Sequence, residues 1–127
     1  MSITLAKQNI WKVPILKNGS KKKHIWSISK LEDLVSVYPN YTFTESAFDD
    51  MMYWKQEDKT LYERLHVLLK DVEAHPFIGG LGKTEALKGT SGQASKRLDS
   101  EHRVQYSLQG AGAEKVITIL RCKGHYT

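Results

Sequence analysis

The last third of the chain, residues 83–127, contains residue types that can transfer protons next to a charged group. Glu85 supplies a carboxylate and His125 an imidazole, with unperturbed pKa values of roughly 4.3 and 6.5, which suit a general base and a general acid. Arg103 and Lys88 add fixed positive charge, which stabilises negative charge that develops in a transition state. If this chain carries out a reaction, we expect the reacting groups here.

Each of these residues also has a structural explanation. Glu85 can form an ion pair with Lys83 or Lys88. Arg103 can form a surface salt bridge with a nearby acid, and such bridges contribute little to stability. His125 can be a solvated residue, since residues near a chain end are poorly ordered unless they dock. The residue types alone leave these alternatives open.

The composition indicates one ordinary globular domain. The chain has 127 residues, of which 40% are hydrophobic and 26% are charged. No apolar run approaches the roughly 20 residues that a membrane helix needs, so we expect no membrane contact and a cytoplasmic location. Cys122 is the single cysteine, which excludes an intrachain disulfide and a thiolate metal cluster.

The net charge of +5 is spread unevenly along the chain. Residues 1–40 carry seven bases and two acids, residues 41–82 carry four bases and eight acids, and residues 83–127 carry eight bases and four acids. An acidic middle between two basic ends favours contact with a polyanion or an acidic protein. The alternative is a solvated surface without a partner.

Two helices are predicted in the middle of the chain. Thr44 or Ser46 can cap the first helix, and Asp58 can cap the second, which ends at His75-Pro76. Their apolar stripes are Phe48, Met51 and Met52 with Tyr53 or Trp54, and then Leu61, Leu65, Leu68, Leu69 and Val72. The short link between the helices predicts an antiparallel hairpin.

Strands are predicted on both sides of this helix pair, at about residues 41–44, 95–98, 103–108 and 116–122. In the strand at residues 103–108, Val104 and Tyr106 share one face, which must pack on the helices. Arg103 and Gln105 then point to the opposite face. This alternation predicts a guanidinium group on the face that the helices do not cover.

Residues 1–40 are predicted to form a separate extension. Asn18-Gly19 between apolar runs is typical of a β-hairpin, and Pro14 favours the edge of a sheet. Ser29-Lys30-Leu31-Glu32 has the pattern of a capping box and predicts a short helix to about Pro39. The apolar face of this helix would contain Leu31, Leu34, Val35 and Tyr38.

Several short motifs occur together after residue 40. They are Phe48-Asp49-Asp50 with Tyr53-Trp54, His75-Pro76-Phe77 with the glycines after it, Gly82-Lys83-x-Glu85-x-Leu87-Lys88, Ser91-Gly92-x-x-Ser95-Lys96-Arg97, Glu101-His102-Arg103-x-x-Tyr106, and Cys122-Lys123-x-His125-Tyr126. In this order they resemble the YoeB/Txe toxins of the RelE superfamily, the ribosome-dependent mRNA endonucleases of toxin–antitoxin pairs. The resemblance covers about residues 41–127 and leaves residues 1–40 as an extension.

The resemblance implies an α+β fold of the microbial RNase type, with two antiparallel helices packed on a twisted antiparallel sheet. It implies that the 2′-OH of an mRNA nucleotide in the ribosomal A site attacks the adjacent phosphorus, without a metal or cofactor. Glu85 would be the general base and His125 the general acid. Arg103 and Lys88 would stabilise the phosphorane charge, and Tyr126 would orient the substrate.

The resemblance also implies partners for the basic surface. We expect RNA contacts at Lys83, Lys96, Arg97 and Lys123, although cations near a phosphate backbone also supply affinity without sequence information. The implied partners are mRNA on the ribosome and a cognate antitoxin with an acidic segment that folds on binding. A homodimer is compatible with the resemblance. The alternative function is a catalytically weak binding module of the same fold, which engages an antitoxin or ribosomal RNA.

Three positions differ from the family pattern. Ala94 stands where the family usually has Trp, and Gly124 stands where it usually has an aromatic residue before His125. Thr127 follows Tyr126, where the family pattern normally ends at the Tyr. Since glycine is conformationally permissive, we expect Gly124 to loosen the segment that positions the general acid.

Overall fold

The computed structural model describes residues 25–89 and 92–124, so the hairpin predicted at Asn18-Gly19 lies outside the described residues. The elements in chain order are helix α1 (Asp33–Val37), strand β1 (Tyr41–Phe43), helices α2 (Glu45–Glu57) and α3 (Lys59–Ala74), strands β2 (Glu85–Ala86), β3 (Gln93–Arg97) and β4 (Arg103–Gln109), a 3-10 helix (Gly112–Glu114) and strand β5 (Val116–Arg121). Helices pack on one face of a five-stranded sheet, which confirms the predicted α+β class. None of the described helices is long and apolar enough to cross a membrane.

The two long helices begin at the caps that the sequence predicts. Thr44 Oγ1 accepts the Ala47 N–H at 3.0 Å, and Asp58 Oδ1 accepts the Leu61 N–H at 3.1 Å. Each bond satisfies an amide that the first helical turn would otherwise leave without a partner. Asp58 alone separates α2 from α3, so the two helices form the expected hairpin.

The buried faces of these helices follow helical spacing. In α2, Trp54 is buried and Tyr53 is 47% exposed, which decides between the two aromatic candidates for the core. The buried residues of α3 are Tyr62, Leu65, His66, Leu68, Leu69 and Val72. Helix α3 ends as predicted, because the His75 N–H still reaches the Asp71 carbonyl but the next residue, Pro76, has no N–H to continue the helix.

Helix α1 is shorter than predicted, and no capping box closes it. The Asp33 carboxylate instead accepts the N–H groups of Ser29 and Lys30 at 2.9 and 3.0 Å, so the turn before the helix is held by an acid inside it. Leu34 is buried as expected, whereas Val35 is 69% exposed. Leu31 is 40% exposed as well, so the predicted apolar face is wrong at Leu31 and Val35. So short a helix covers the core with a single turn.

The sheet has the strand order β1-β5-β4-β3-β2. Adjacent strands in the sheet pair antiparallel as expected, except that β1 runs parallel to β5. The Thr44 N–H and hydroxyl donate to the Ile119 and Leu120 carbonyls at 3.1 and 2.8 Å and hold the end of β1 in this direction. The sheet is therefore mixed, because apolar alternation indicates which face a strand buries and not the direction of its neighbour.

Strand β4 alternates between the two faces of the sheet as predicted. Val104 and Tyr106 are buried against the helices, and the Tyr106 hydroxyl donates to the Pro76 carbonyl at 2.5 Å. Arg103 and Gln105 lie on the opposite side. We call this side the open face; its residues on the three strands β2 to β4 include Glu85, Ser95, Arg97, Arg103 and Gln105.

Strand β2 is a finding of the structure, since two residues are too few to show an alternating pattern. A tight turn at residues 99–102 connects β3 to β4. There the Asp99 carboxylate accepts the N–H groups of Glu101 and His102 at 2.8 and 2.7 Å, and the chain reverses directly into Arg103. Asp99 thereby fixes the position at which β4 begins.

Candidate functional site

The predicted general base lies on the open face, in an edge strand of the sheet. Glu85 in β2 stands directly opposite Ser95 in β3, which stands opposite Gln105 in β4. Residues directly opposite each other in an antiparallel pair share a face. The Glu85 carboxylate is therefore on the same side of the sheet as Arg103, and it is exposed.

Two arginines face each other on β3 and β4, each two residues from the Ser95–Gln105 pair. Arg97 in β3 and Arg103 in β4 are directly opposite in the register. Like charges in such a pair repel each other, so an anion bound between them would relieve the repulsion. From strand spacing and rise, the Cα atoms of Glu85 and Arg103 are about 12 Å apart, about 10 Å across the sheet and about 7 Å along it. Both side chains can therefore reach one phosphodiester from opposite sides.

Arg103 is half-buried and is held through both its backbone and its side chain. Its N–H donates to the Gly124 carbonyl at 2.8 Å, and its Nη1 donates to the Asp99 and His102 carbonyls, each at 3.3 Å. Among the described residues no hydrogen bond of Nε or Nη2 is found, and a guanidinium can present these groups together to an anion. The turn before β4 thus fixes the guanidinium while part of it remains available.

The predicted cations near Glu85 lie on exposed backbone. Lys83 precedes β2 and has a φ of 48°, a conformation that non-glycine residues adopt uncommonly. Lys88 lies in the turn that follows β2, and both lysine side chains are exposed. Either ammonium group can therefore approach an anion bound on the open face next to Glu85.

Lys96 does not lie with the other predicted RNA-binding residues. Its side chain is 0% exposed, and Nζ donates to Asp71 Oδ2 of α3 at 2.8 Å. Because successive strand residues point to opposite faces, only one of Lys96 and Arg97 can lie on the open face. The pairing of Ala94 with buried Tyr106 assigns Lys96 to the helix side. The prediction of an RNA contact at Lys96 is therefore replaced by a buried ion pair.

Side chains of α2 hold the end of β5 at Cys122. Asp50 Oδ2 accepts the Cys122 N–H at 2.9 Å, and Trp54 Nε1 donates to the Cys122 carbonyl at 2.9 Å. Burial raises the pKa of Asp50, and the hydrogen bond from Cys122 acts in the opposite direction. Nothing in the sequence pattern indicates that Asp50 and Trp54 bind the Cys122 backbone, although their i, i+4 spacing places them on one side of the helix.

Gly124 is held by the start of β4. Its N–H donates to His102 Nδ1 at 2.8 Å, and its carbonyl accepts the Arg103 N–H at 2.8 Å. The φ of Gly124 is +73°, which favours glycine over other residues. Gly124 is therefore anchored on both sides, in contrast to the loosening expected from the sequence. The predicted acid and orienting residue, His125 and Tyr126, lie outside the described residues.

A β-bulge turns the end of β5. Gln105 pairs with Arg121 whereas Tyr106 pairs with Ile119, so Leu120 is the additional residue. Bulges bend a strand and change the direction of its side chains. After this bulge Arg121 is exposed and Cys122 is buried.

Lys123 is exposed and lies next to an aromatic ring at this end of the sheet. Its Nζ is 4.7 Å from the centroid of the Tyr53 ring, a cation–π distance. The Tyr53 ring packs edge-on against Trp54 at 5.1 Å between centroids. The predicted cation at Lys123 therefore stands beside the segment that leads to Gly124.

Gln105 is a polar residue at the centre of the open face that sequence analysis did not select. Its Nε2 donates to Gln93 Oε1 at 3.3 Å, while its own buried Oε1 has no hydrogen-bond partner within residues 25–89 and 92–124. A buried carbonyl without a partner is costly. The alternation of β4 could have identified Gln105, because a residue two positions from Arg103 lies on the same face of the sheet.

The arrangement brings together a carboxylate that can accept a proton and guanidinium groups that can hold a phosphate. Within residues 25–89 and 92–124, no group of three or more His, Cys, Asp and Glu side chains has a geometry that would hold a metal ion. Of the predicted site residues, Glu85, Arg97 and Arg103 share the open face.

Known proteins are similar to this chain over the part that follows β1. The family model described as "YoeB-like toxin of bacterial type II toxin-antitoxin system" matches residues 43–126. Toxin YoeB of Synechocystis sp. is 39% identical over 85 residues, which cover 66% of this chain and 93% of that toxin. Toxin YoeB of Escherichia coli K12 is 35% identical over 85 residues, which cover 66% and 95% of the two chains.

Solved structures of such toxins have a similar fold. A YoeB/ParE toxin from Agrobacterium tumefaciens has a TM-score of 0.64 and 35% identity, over 68% of this chain and 99% of that chain. A YoeB dimer from Staphylococcus aureus has a TM-score of 0.60 and 36% identity, over 68% and 97%. YoeB in a heterotetrameric YoeB–YefM toxin–antitoxin complex from Staphylococcus aureus has a TM-score of 0.58 and 36% identity, over 68% and 97%.

Proposed function

Because this chain belongs to the YoeB-like toxins of bacterial type II toxin–antitoxin systems, we propose that it is a ribosome-dependent endoribonuclease that cleaves mRNA in the ribosomal A site. The observation that carries the proposal is the position of Glu85 and Arg103 on one open face of the sheet. The opposed Arg97–Arg103 pair supports it further, because two guanidinium groups can share the oxygens of one phosphate.

In the proposed reaction, Glu85 takes the proton of a ribose 2′-OH while the 2′-oxygen attacks the adjacent phosphorus. The P–O2′ bond forms as the P–O5′ bond breaks, which yields a 2′,3′-cyclic phosphate and a free 5′-hydroxyl. His125 donates a proton to the departing 5′-oxygen. Proton transfer by a positioned side chain of this kind contributes roughly 10²–10⁴-fold to a rate.

Positive charge on the open face stabilises the phosphorane in this proposal. Arg103 contacts the equatorial oxygens, since its guanidinium is fixed by the turn before β4. Lys88 adds a second cation, and Tyr126 orients the substrate. Further contacts to the RNA backbone come from three exposed cations, Lys83, Arg97 and Lys123.

We also propose a protein partner for the basic face. The Staphylococcus aureus relatives include a YoeB dimer and a YoeB–YefM toxin–antitoxin complex. By analogy, this chain binds a cognate antitoxin whose acidic segment covers the open face, and it can form a homodimer. In this proposal residues 1–40 are an extension of the toxin domain at residues 41–127, and Leu34 and Tyr38 of this extension are buried in the common core.

Primer extension on an mRNA under translation by purified ribosomes tests the proposed activity. The wild type should cut within A-site codons, and Glu85→Gln should cut more slowly by roughly 10²–10⁴-fold because the general base is lost. Glu114→Gln is the matched control, since Glu114 is exposed in the 3-10 helix before β5 and should leave the rate unchanged. Equal rates for the wild type and Glu85→Gln would contradict the assignment of the base.

Primer extension, combined with sedimentation of the toxin with ribosomes, separates the two functions considered from the sequence. A wild-type chain that sediments with ribosomes and leaves the mRNA intact would be a binding module of this fold. In that case Glu85→Gln would change ribosome binding alone. A wild type that cuts while bound would instead support the endoribonuclease.

A further inference from the structure

The ammonium group of Lys96 is buried between α3 and the loop that leads to Glu85. Its Nζ donates to Asp71 Oδ2 at 2.8 Å, to Thr84 Oγ1 at 2.6 Å and to the Leu81 carbonyl at 3.2 Å. These bonds use the three donors of an ammonium group. One side chain thus joins the strand β3, the helix α3 and the residue next to Glu85.

Asp71 completes the connection from the helix. Besides Lys96, its carboxylate accepts the Leu81 N–H at 2.9 Å and contacts His75 Nδ1 at 3.2 Å. Partial burial by itself would raise the pKa of Asp71, but the bonds from Lys96, Leu81 and His75 outweigh it and the pKa lies below its usual value. The carboxylate is therefore held in its charged form by the same groups that it positions.

The loop at residues 79–84 lies directly on this ion pair. A Cβ atom on Gly80 would lie 2.3 Å from Asp71 Oδ2, so only glycine allows the loop to approach so closely. The Thr84 hydroxyl donates to the Gly79 carbonyl at 2.6 Å, and the Gly82 carbonyl accepts the Arg97 N–H. The path of the chain into β2 is consequently defined by contacts around Lys96.

A buried ion pair is not needed for stability alone. Replacement of such a pair by apolar residues of similar volume is often neutral for stability, because both charges lose their hydration when they are buried. The pair does specify geometry, since its hydrogen bonds are directional. The desolvation cost of this pair is explained if the pair also fixes the position of the loop at residues 79–84.

We propose that Lys96 and Asp71 are positioning residues that hold the loop at residues 79–84 so that Glu85 stands opposite Ser95 on the open face. This proposal rests on the proposed function for the role of Glu85, but the loop geometry can be tested without it. Neither residue contacts the substrate. Lys96 therefore affects the reaction through Thr84, the neighbour of Glu85.

Kinetics on programmed ribosomes test the proposal at saturating and at limiting toxin. Lys96→Met should lower the single-turnover cleavage rate by about 10²-fold, the effect expected when a reacting group is misplaced by about 1 Å. The toxin concentration for half-maximal rate should stay the same, because a buried ammonium makes no contact with RNA. Lys96→Arg should recover most of the rate. A rise in half-saturating concentration with an unchanged maximal rate would overturn the proposal in favour of RNA binding.

Hydrogen exchange of the full chain provides a readout that does not depend on cleavage. The Leu87 N–H donates to the Gln93 carbonyl at 3.0 Å and reports the pairing of β2 with β3. Lys96→Met should accelerate exchange at this amide while the α2 amides exchange as in the wild type. Unchanged exchange at Leu87 would overturn the proposal, whereas a wild type that fails to cleave would overturn only the proposed function.

A milder pair of variants covers the case in which Lys96→Met does not fold. Thr84→Val removes the hydroxyl that accepts from Lys96, and Thr84→Ser retains it. Thr84→Val should reproduce the loss of maximal rate and the faster Leu87 exchange, and Thr84→Ser should not. Identical behaviour of the two variants would overturn the proposal.

Discussion

The N–H of Gly124 donates to Nδ1 of His102 at 2.8 Å and ties the end of the described chain to the start of β4. The imidazole packs edge-on against Trp54, with 4.8 Å between ring centroids, so the acceptor is itself held by α2. This hydrogen bond and the one from the Arg103 N–H to the Gly124 carbonyl hold Gly124 at the start of β4. His102 thus contacts both the end of the described chain and α2.

The first prediction concerns this hydrogen bond. His102→Leu removes the acceptor and should cost about 1 kcal/mol of local stability, which corresponds to roughly fivefold faster exchange of the Gly124 amide. His102→Asn is the control, because the side-chain oxygen of Asn can replace Nδ1. Hydrogen exchange measured by NMR distinguishes the two variants. Equal protection of Gly124 in His102→Leu and the wild type would show that the bond does not hold the segment.

The second prediction concerns Trp54. Trp54→Phe removes the donor to the Cys122 carbonyl and should lower the free energy of unfolding by about 1–3 kcal/mol, since a buried carbonyl loses its partner. Tyr53→Phe, at the exposed neighbour, should change it by less than about 0.5 kcal/mol. Urea denaturation followed by fluorescence measures both. A similar loss in the two variants would contradict the role given to the indole.

The third prediction is a dependence of stability on pH through His66. Burial, with a smaller contribution from the charge of Lys70, lowers the pKa of His66 to about 3 in the folded chain. Its Nδ1 is 2.5 Å from the Tyr38 hydroxyl, its ring packs against Tyr62, and its Nε2 has no hydrogen-bond partner in the described part of the chain. The folded state therefore keeps His66 neutral where an unfolded chain protonates it.

The sign of this effect follows from the two pKa values. Between about pH 6.5 and pH 3 the unfolded chain binds a proton that the folded chain does not, so stability falls as the pH is lowered, by up to about 1.4 kcal/mol per pH unit. His66→Gln keeps an acceptor for Tyr38 and should flatten this slope. Denaturant titrations at several pH values measure the difference between the variants. The raised pKa of Asp50 has the opposite effect on the pH dependence of stability. This effect is the same in the wild type and in His66→Gln, so it cancels when the two are compared.

The fourth prediction concerns Gln105. Gln105→Leu removes a buried carbonyl oxygen that has no partner among the described residues, and it should leave the free energy of unfolding unchanged or raise it by up to about 1 kcal/mol. Thermal denaturation at one buffer composition measures the change. Gln93→Leu is the control, because it removes the other member of the amide pair and leaves the Gln105 carbonyl in place. A loss of stability in Gln105→Leu larger than that in Gln93→Leu would contradict this account.

Parts of the fold that depend on local patterns could be predicted from the sequence. The caps at Thr44 and Asp58 follow from side-chain chemistry at helix starts, and the end of α3 follows from Pro76. The position of Arg103 on the open face follows from the alternation of apolar residues in β4.

Features that depend on distant contacts could not be predicted in the same way. The direction of β1 depends on the bonds of Thr44 with β5, which is more than 70 residues away in the chain. The burial of Lys96 depends on the register of β3 against β4 and on a carboxylate in α3. A lysine next to an arginine gives no local sign of which one is exposed.

Attack by the ribose 2′-OH is tested most directly by removing this proposed nucleophile from the substrate. Ribosomes are programmed with an mRNA that carries a 2′-deoxynucleotide on the 5′ side of the cleaved bond, and with an all-ribose mRNA of the same sequence. If the 2′-OH is the nucleophile, the all-ribose mRNA is cleaved to a 2′,3′-cyclic phosphate end, and the deoxy position is not cleaved. Cleavage at the deoxy position at the same rate would contradict attack by the 2′-OH and the role of Glu85 as its base.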